Sequence, residues 1–283
     1  MGKYVIQPRE RVLDKSSVVY PVEKLPLNFK DVELATEQAQ KGVYDGDLGC
    51  AIVRNDKNQI ISTVSSDYQL VPHEDIINAV EGIFEANKWD YSLWDVRTGG
   101  RRGNKMYLRY HLPHYSFDVK EGDSLVPYIQ IYNSYDKSLL FGASAGLFRL
   151  TCSNGAMIRA KSQSLHARHY LDNINVIDIA FSIEAMMEEV GMAKAKLQIM
   201  VKEAISDVTI EELLPKIFKR ERDVKKIKEL GLLEDHFTEM GKNKYAFFNA
   251  CTAYATHELP KHSGNYDHEF EVQNKISKIF FSN

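Results

Sequence analysis

At 283 residues, with 44% hydrophobic and 27% charged side chains, the chain suffices for one large domain or two modest ones with a sizeable core. No apolar run approaches the ~20 residues that cross a bilayer. The first residues, MGKYVIQPRER, hold no apolar leader core, so a soluble cytoplasmic protein without membrane contact is expected. The three cysteines, Cys50, Cys152 and Cys251, lie far apart and argue against a disulfide framework.

The net charge of −3 conceals an uneven distribution. Residues 1–96 carry 10 basic and 16 acidic side chains, residues 97–170 carry 11 and 4, and residues 171–283 carry 15 and 19. The middle third is thus a cationic island of +7 between flanks of −6 and −4. Such an island suits a polyanion, or the acidic flank of a neighbouring subunit.

Residues 1–46, broken by Pro8, Pro21 and Pro26, are expected to form an arm, with a short helix around Phe29–Gln40. Residues 48–64 read as a hairpin that turns at Asn55–Asn58. Pro72, Glu74 and Asp75 mark a helix start, and Ile76, Ile77, Val80, Ile83 and Phe84 give it one apolar stripe to about Asn87. Strands then dominate. Tyr91–Arg97 and Lys105–His111 form a second hairpin, Leu125–Tyr132 is a strand, and Ser138–Cys152 is one bent strand or two. Residues 153–170 extend the cationic island, and a long helix follows over Phe181–Ser206 with a 3-4 apolar repeat. Thr209 to Glu212 resembles a capping box, Lys219–Lys228 a solvated charged face, Lys244–Glu258 a tightly packing helix, and Phe270–Phe281 an amphipathic tail. The expected architecture is α+β: an antiparallel meander packed on a long helix, with a helical C-terminal region. Its parts are an arm (1–46), a core with a basic face (47–206) and the helical region (207–283).

The stretch RTGGRRGNKMYLRYH, residues 97–111, carries five cations and no acid. Side chains alternate across a strand, so Met106, Leu108 and Tyr110 face a core while Lys105, Tyr107, Arg109 and His111 face the other way. Cations beside aromatic rings on one face suit single-stranded nucleic acid, which is held by phosphate contacts and base stacking. The candidate contacts are Arg97, Arg101, Arg102, Lys105, Arg109, Arg149, Arg159, Lys161 and Arg168, with Tyr107 and Tyr132 as stacking platforms. No zinc-finger spacing, basic zipper or RNP strand is present, so sequence-independent binding is expected. A metal-dependent hydrolase built on His111, His114, His166 and His169, or a Cys152 nucleophile, is the enzymatic alternative, though HxxH pairs without a carboxylate make a weak zinc signal. A protein-binding module that inhibits a host factor is the third class. Gly142–Gly146 lacks the Lys-Ser or Lys-Thr of a phosphate loop, so no nucleotide cofactor is expected.

Two stretches carry a family resemblance. Asn133-Ser134-Tyr135-Asp136-Lys137-Ser138, followed by a strand ending Arg149-Leu-Thr-Cys152-Ser-Asn154, resembles the phage- and plasmid-encoded "phage/plasmid-like protein" family, a domain of unknown function. That family has an Asn-Ser-His-Asp-Gly-Ser-like turn, from which Tyr135 and Lys137 depart. Asn249-Ala-Cys-Thr-Ala-Tyr254 and Tyr68-Gln-Leu-Val-Pro72 are similar to its later helix and its first helix entry. The resemblance spans about residues 47–258 and implies a setting in phage or plasmid replication and recombination, not an activity. The order of meander then long helix is also similar to single-strand annealing proteins, which bind DNA in a basic groove and assemble as homo-oligomers; this is likeness of topology alone.

Overall fold

The computed structural model describes residues 15–27, 49–100, 103–139, 141–150, 154–158, 165–167, 176–259 and 266–281. The helix expected at 29–40 lies outside them. Val22–Pro26 (β1), Cys50–Arg54 (β2) and Gln59–Val64 (β3) form a small antiparallel sheet in the order β1-β2-β3. The expected arm therefore adds an edge strand to the first hairpin. Tyr20, Ile52, Ile61, Val64 and Tyr68 pack beneath this sheet with Tyr135, whose backbone carbonyl accepts from Ser62 Oγ.

His73–Ala86 (α1) begins after Pro72 and buries the expected stripe of Ile76, Ile77, Val80, Ile83 and Phe84. The large sheet comprises Ser92–Gly99 (β4), Lys105–His111 (β5), Phe117–Asp118 (β6), Ser124–Ser134 (β7), Phe141–Arg149 (β8), Asn154–Ile158 (β9) and Leu165–Ala167 (β10). Its order is β10-β8-β7-β5-β4, with β6 on β7 and β9 on β8. Residues 153–170, expected only to prolong the cationic island, contribute two strands to the free edge of β8. β9 pairs with Ala145–Arg149 and β10 with Phe141–Ala143.

Val176–Lys202 (α2) starts five residues earlier than expected and packs on β8. Asp207–Ile217 (α3) is capped by Ser206, whose Oγ accepts the Thr209 N–H at 3.1 Å; the capping residue is Ser206 and not Thr209. Glu221–Glu229 (α4), Leu232–Met240 (α5) and Lys244–Ala253 (α6) follow, then a π-helical turn at Tyr254–Glu258 and a last helix, Tyr266–Phe281 (α7). The fold is α+β, as the hydrophobic patterning requires.

One face of the large sheet presents Met106, Leu108, Tyr110, Ile129, Ile131, Ala143, Ala145 and Leu147 to a core shared with α1, α2 and α6. The other face is buried as well. Tyr107, Tyr128, Tyr132 and Phe148 join Phe270 of α7 in a separate cluster. Gly146 fits that face because the Tyr128 ring lies over it: a Cβ there would sit 2.1 Å from Tyr128 Cζ. Gly146→Ala is expected to cost about 1–3 kcal/mol through overpacking, read as a lower midpoint in urea unfolding at unchanged slope.

Candidate functional site: a polar layer under the last helix

The strand register lines up side chains in rows across the second face, because directly paired residues share a face. Asp95, Arg109, Gln130 and Ser144 form one row over β4, β5, β7 and β8. Arg97, Tyr107, Tyr132 and Gly142 form the next, and His111, Tyr128 and Gly146 a third. Alternation in β5 thus sorts its side chains as expected, but α7 covers the face on which the cations lie.

Arg109 is the centre of the layer. Its Nε donates to Gln130 Oε1 at 2.9 Å, and its Nη2 donates to Glu269 Oε1 at 3.1 Å and to Gln273 Oε1 at 3.3 Å. Asp95 lies 4.0 Å from Nη1 and also pairs with Arg97 at 2.9 Å. Gln273 donates to Glu269, one helical turn back on α7, at 2.9 Å. At the first turn of α7, Asp267 accepts from Tyr107 Oη at 2.6 Å and from Lys105 Nζ at 2.9 Å. Gly99 leaves room for this approach, since a Cβ would stand 2.6 Å from Asp267 Oδ1.

Burial sets the protonation states. The His111 ring stacks on Trp94 at 4.3 Å and lies 4.8 Å from Phe148. Burial, reinforced by Arg109 and opposed by Asp95, pushes its pKa down to about 3, so the imidazole is neutral near pH 7. Burial raises Glu269 to about 6 against the pull of Arg109. Burial likewise raises Tyr128 to about 12. His111 Nε2, Tyr128 Oη, Ser144 Oγ and Glu269 Oε2 are buried without a hydrogen-bond partner among the described residues. Buried polar atoms of this kind are ordinarily met by ordered water.

Arg149 lies on the opposite face. It is buried between Asp123 and α5, with Nε paired to Asp123 and Nη2 to Glu239 at 2.9 Å. Tyr245 of α6 donates to the other Asp123 oxygen at 2.9 Å.

These contacts revise the expected interface. Arg109 and Arg149 are internal ion-pair partners, and Tyr107 and Tyr132 pack against Phe270, so none of the four faces solvent. Lys105 and Arg97 are held by Asp267 and Asp95. The +7 of residues 97–170 is drawn down by Asp95, Glu239, Asp267 and Glu269, all from outside that stretch. Arg101, Arg102, Arg159, Lys161 and Arg168 lie outside the described residues. Of the histidines, His111 is buried in the layer, His114 is exposed on a 3-10 turn, and His169 lies outside the described residues, as does Cys152. His166 stands in β10 opposite Gly142. Among the described residues no three His, Cys, Asp or Glu gather closely enough to hold a metal.

Asp95, Gln130, Asp267, Glu269 and Gln273 escaped the sequence reading. A signal existed: Glu269, Gln273 and Ser277 recur every four residues among the apolar positions of the tail, a polar stripe on a face that is buried.

Residues 60–276 match the family model described as "Domain of unknown function (DUF932)", and the chain belongs to that family. No curated protein and no solved structure matches it. Among the described residues no helix is long and apolar enough to cross a membrane.

Proposed function

We propose that this DUF932 chain binds single-stranded DNA without sequence preference, through one end of the large sheet and not through its face. The observation that carries the reading is the register. Gly99 pairs with Lys105, Lys105 with Ser134, and Phe141 with Ala167. The end of β4, the start of β5, the β7–β8 turn bearing Lys137, whose Nζ donates to Ser65 Oγ at 2.8 Å, and the end of β10 therefore lie at the same end of the sheet; in the sequence Arg101 and Arg102 follow β4 and Arg168 follows β10. Four strand spacings make that end about 19 Å wide. In the sequence Arg159 and Lys161 lie between β9 and β10.

With Tyr107 and Tyr132 buried, the affinity is electrostatic and salt-sensitive, and the bases stay free to pair. This suits annealing without nucleotide hydrolysis, in the cytoplasm, during phage or plasmid replication or recombination. Strands longer than one protomer's end require several copies side by side.

The test is Arg101→Glu with Arg102→Glu in the full chain, titrated with a fluorescent oligonucleotide at several salt concentrations. Loss of two phosphate contacts is expected to weaken binding at least tenfold and to flatten the log–log salt slope by about 1.4, at ~0.7 per phosphate. A control pair on exposed helix positions, Lys216→Glu with Lys225→Glu, is expected to change neither. Unchanged affinity and slope in the first pair would overturn the reading.

A further inference from the structure

The exposed face of α2, which no described element covers, points to a second copy of this chain. Between residues 188 and 202 the buried positions of α2 are Glu189, Val190, Ala193, Leu197 and Met200. The opposite side exposes Glu188, Gly191, Met192, Ala195, Gln198, Ile199 and Lys202, at the three-and-four spacing of one helix stripe. Its middle is apolar: Met192 is 65% and Ile199 55% exposed, which few large hydrophobic side chains among the described residues match. Among the described residues nothing accounts for Gly191. A Cβ there would meet nothing within 4 Å, and glycine is the poorest helix residue after proline.

We propose that this stripe is self-complementary and pairs antiparallel with the same stripe of a second copy, about a two-fold axis at Ala195. Counting outward from Ala195 in both directions matches the positions. Three residues away Met192 meets Gln198, four residues away Gly191 meets Ile199, and seven residues away Glu188 meets Lys202. Each Ile199 then seats over the bare backbone of Gly191 in the other copy, and the two Ala195 residues allow close approach at the axis. Glu188 and Lys202, which have no ion pair among the described residues of the protomer, neutralise each other at both ends. Every contact away from the axis occurs twice, as a two-fold interface requires. The paired stretch is about 21 Å long, so it covers less than the ~1,200 Å² of the smaller stable interfaces. The dimer is accordingly weak and concentration-dependent.

The pairing does not depend on nucleic-acid binding and is tested without it. Sedimentation of the full chain across a hundredfold concentration range is expected to rise from the protomer mass to twice that mass and no further. Ala195→Cys is expected to give a covalent dimer on mild oxidation, while the unaltered chain, whose Cys50 and Cys251 are buried, gives none through them. Glu188→Lys is expected to weaken the dimer at least tenfold, and Glu188→Lys with Lys202→Glu to restore it to within about threefold. A protomer at all concentrations, growth beyond two copies, an Ala195→Cys protein that does not cross-link, or a charge swap that fails to restore association would overturn the proposal.

Discussion

Arg109→Ala is expected to cost about 3–5 kcal/mol of stability, the usual consequence of removing one member of a buried charge network. The substitution leaves Glu269, Gln273 and Gln130 facing a void beneath α7, and Glu269 is almost wholly buried. At ~2–4 °C per kcal/mol for a chain of this order of size, the melting temperature falls by roughly 10 °C. Arg109→Met combined with Glu269→Gln removes both charges and keeps most of the volume, and is expected to cost less than Arg109→Ala alone. Calorimetry of the two variants decides the matter. A loss under 1 kcal/mol for Arg109→Ala would mean that α7 does not depend on this layer.

The second large effect is acid sensitivity through His111. Its folded pKa of about 3 lies below the ordinary 6.5, so the fold prefers the neutral ring. That preference contributes fully above pH 6.5 and is lost as pH falls from 6.5 towards 3, by about 1.4 kcal/mol per unit. Glu269 acts with the opposite sign. Raised from 4.5 to about 6, it favours the fold below pH 4.5 and loses that contribution as pH rises through 6. The two offset each other between about pH 6 and 4.5, and His111 dominates below. His111→Gln removes one of the two opposing groups. The stability gap between the unaltered chain and this variant is therefore expected to shrink by about 3 kcal/mol between pH 6.5 and 4. Urea unfolding at a series of pH values measures it, and a gap constant with pH would contradict a neutral buried imidazole.

Much of the fold follows from local pattern. The apolar stripe of α1, the hairpin of β2 and β3 and the alternation in β5 are each set by neighbours a few residues away. Lys137 is instructive: it adopts φ 61, the left-handed region, at the turn position where the resembling family carries glycine. Other features depend on remote partners. β9 and β10 are short and lack alternation; they are strands because β8 offers a free edge. The cations of β5 read as available because their carboxylates are remote in sequence: Asp267 lies 162 residues beyond Lys105 and Glu269 160 residues beyond Arg109. A count of charges along a sequence segment does not know which acids folding brings to it. For that reason a strand that alternates cleanly between apolar and cationic positions reads as half-exposed, while β5, β7 and β8 bury both of their faces.

Amide hydrogen exchange of α7, with and without a saturating single-stranded oligonucleotide, most directly tests where a strand binds. With the polar layer intact and contacts confined to the sheet end, residues 266–281 keep the same protection in both samples, and slowing appears around the β4–β5 and β7–β8 turns. Loss of protection in α7 on binding would mean that the helix lifts and the strand occupies the Arg109 face, which would contradict a site at the sheet end.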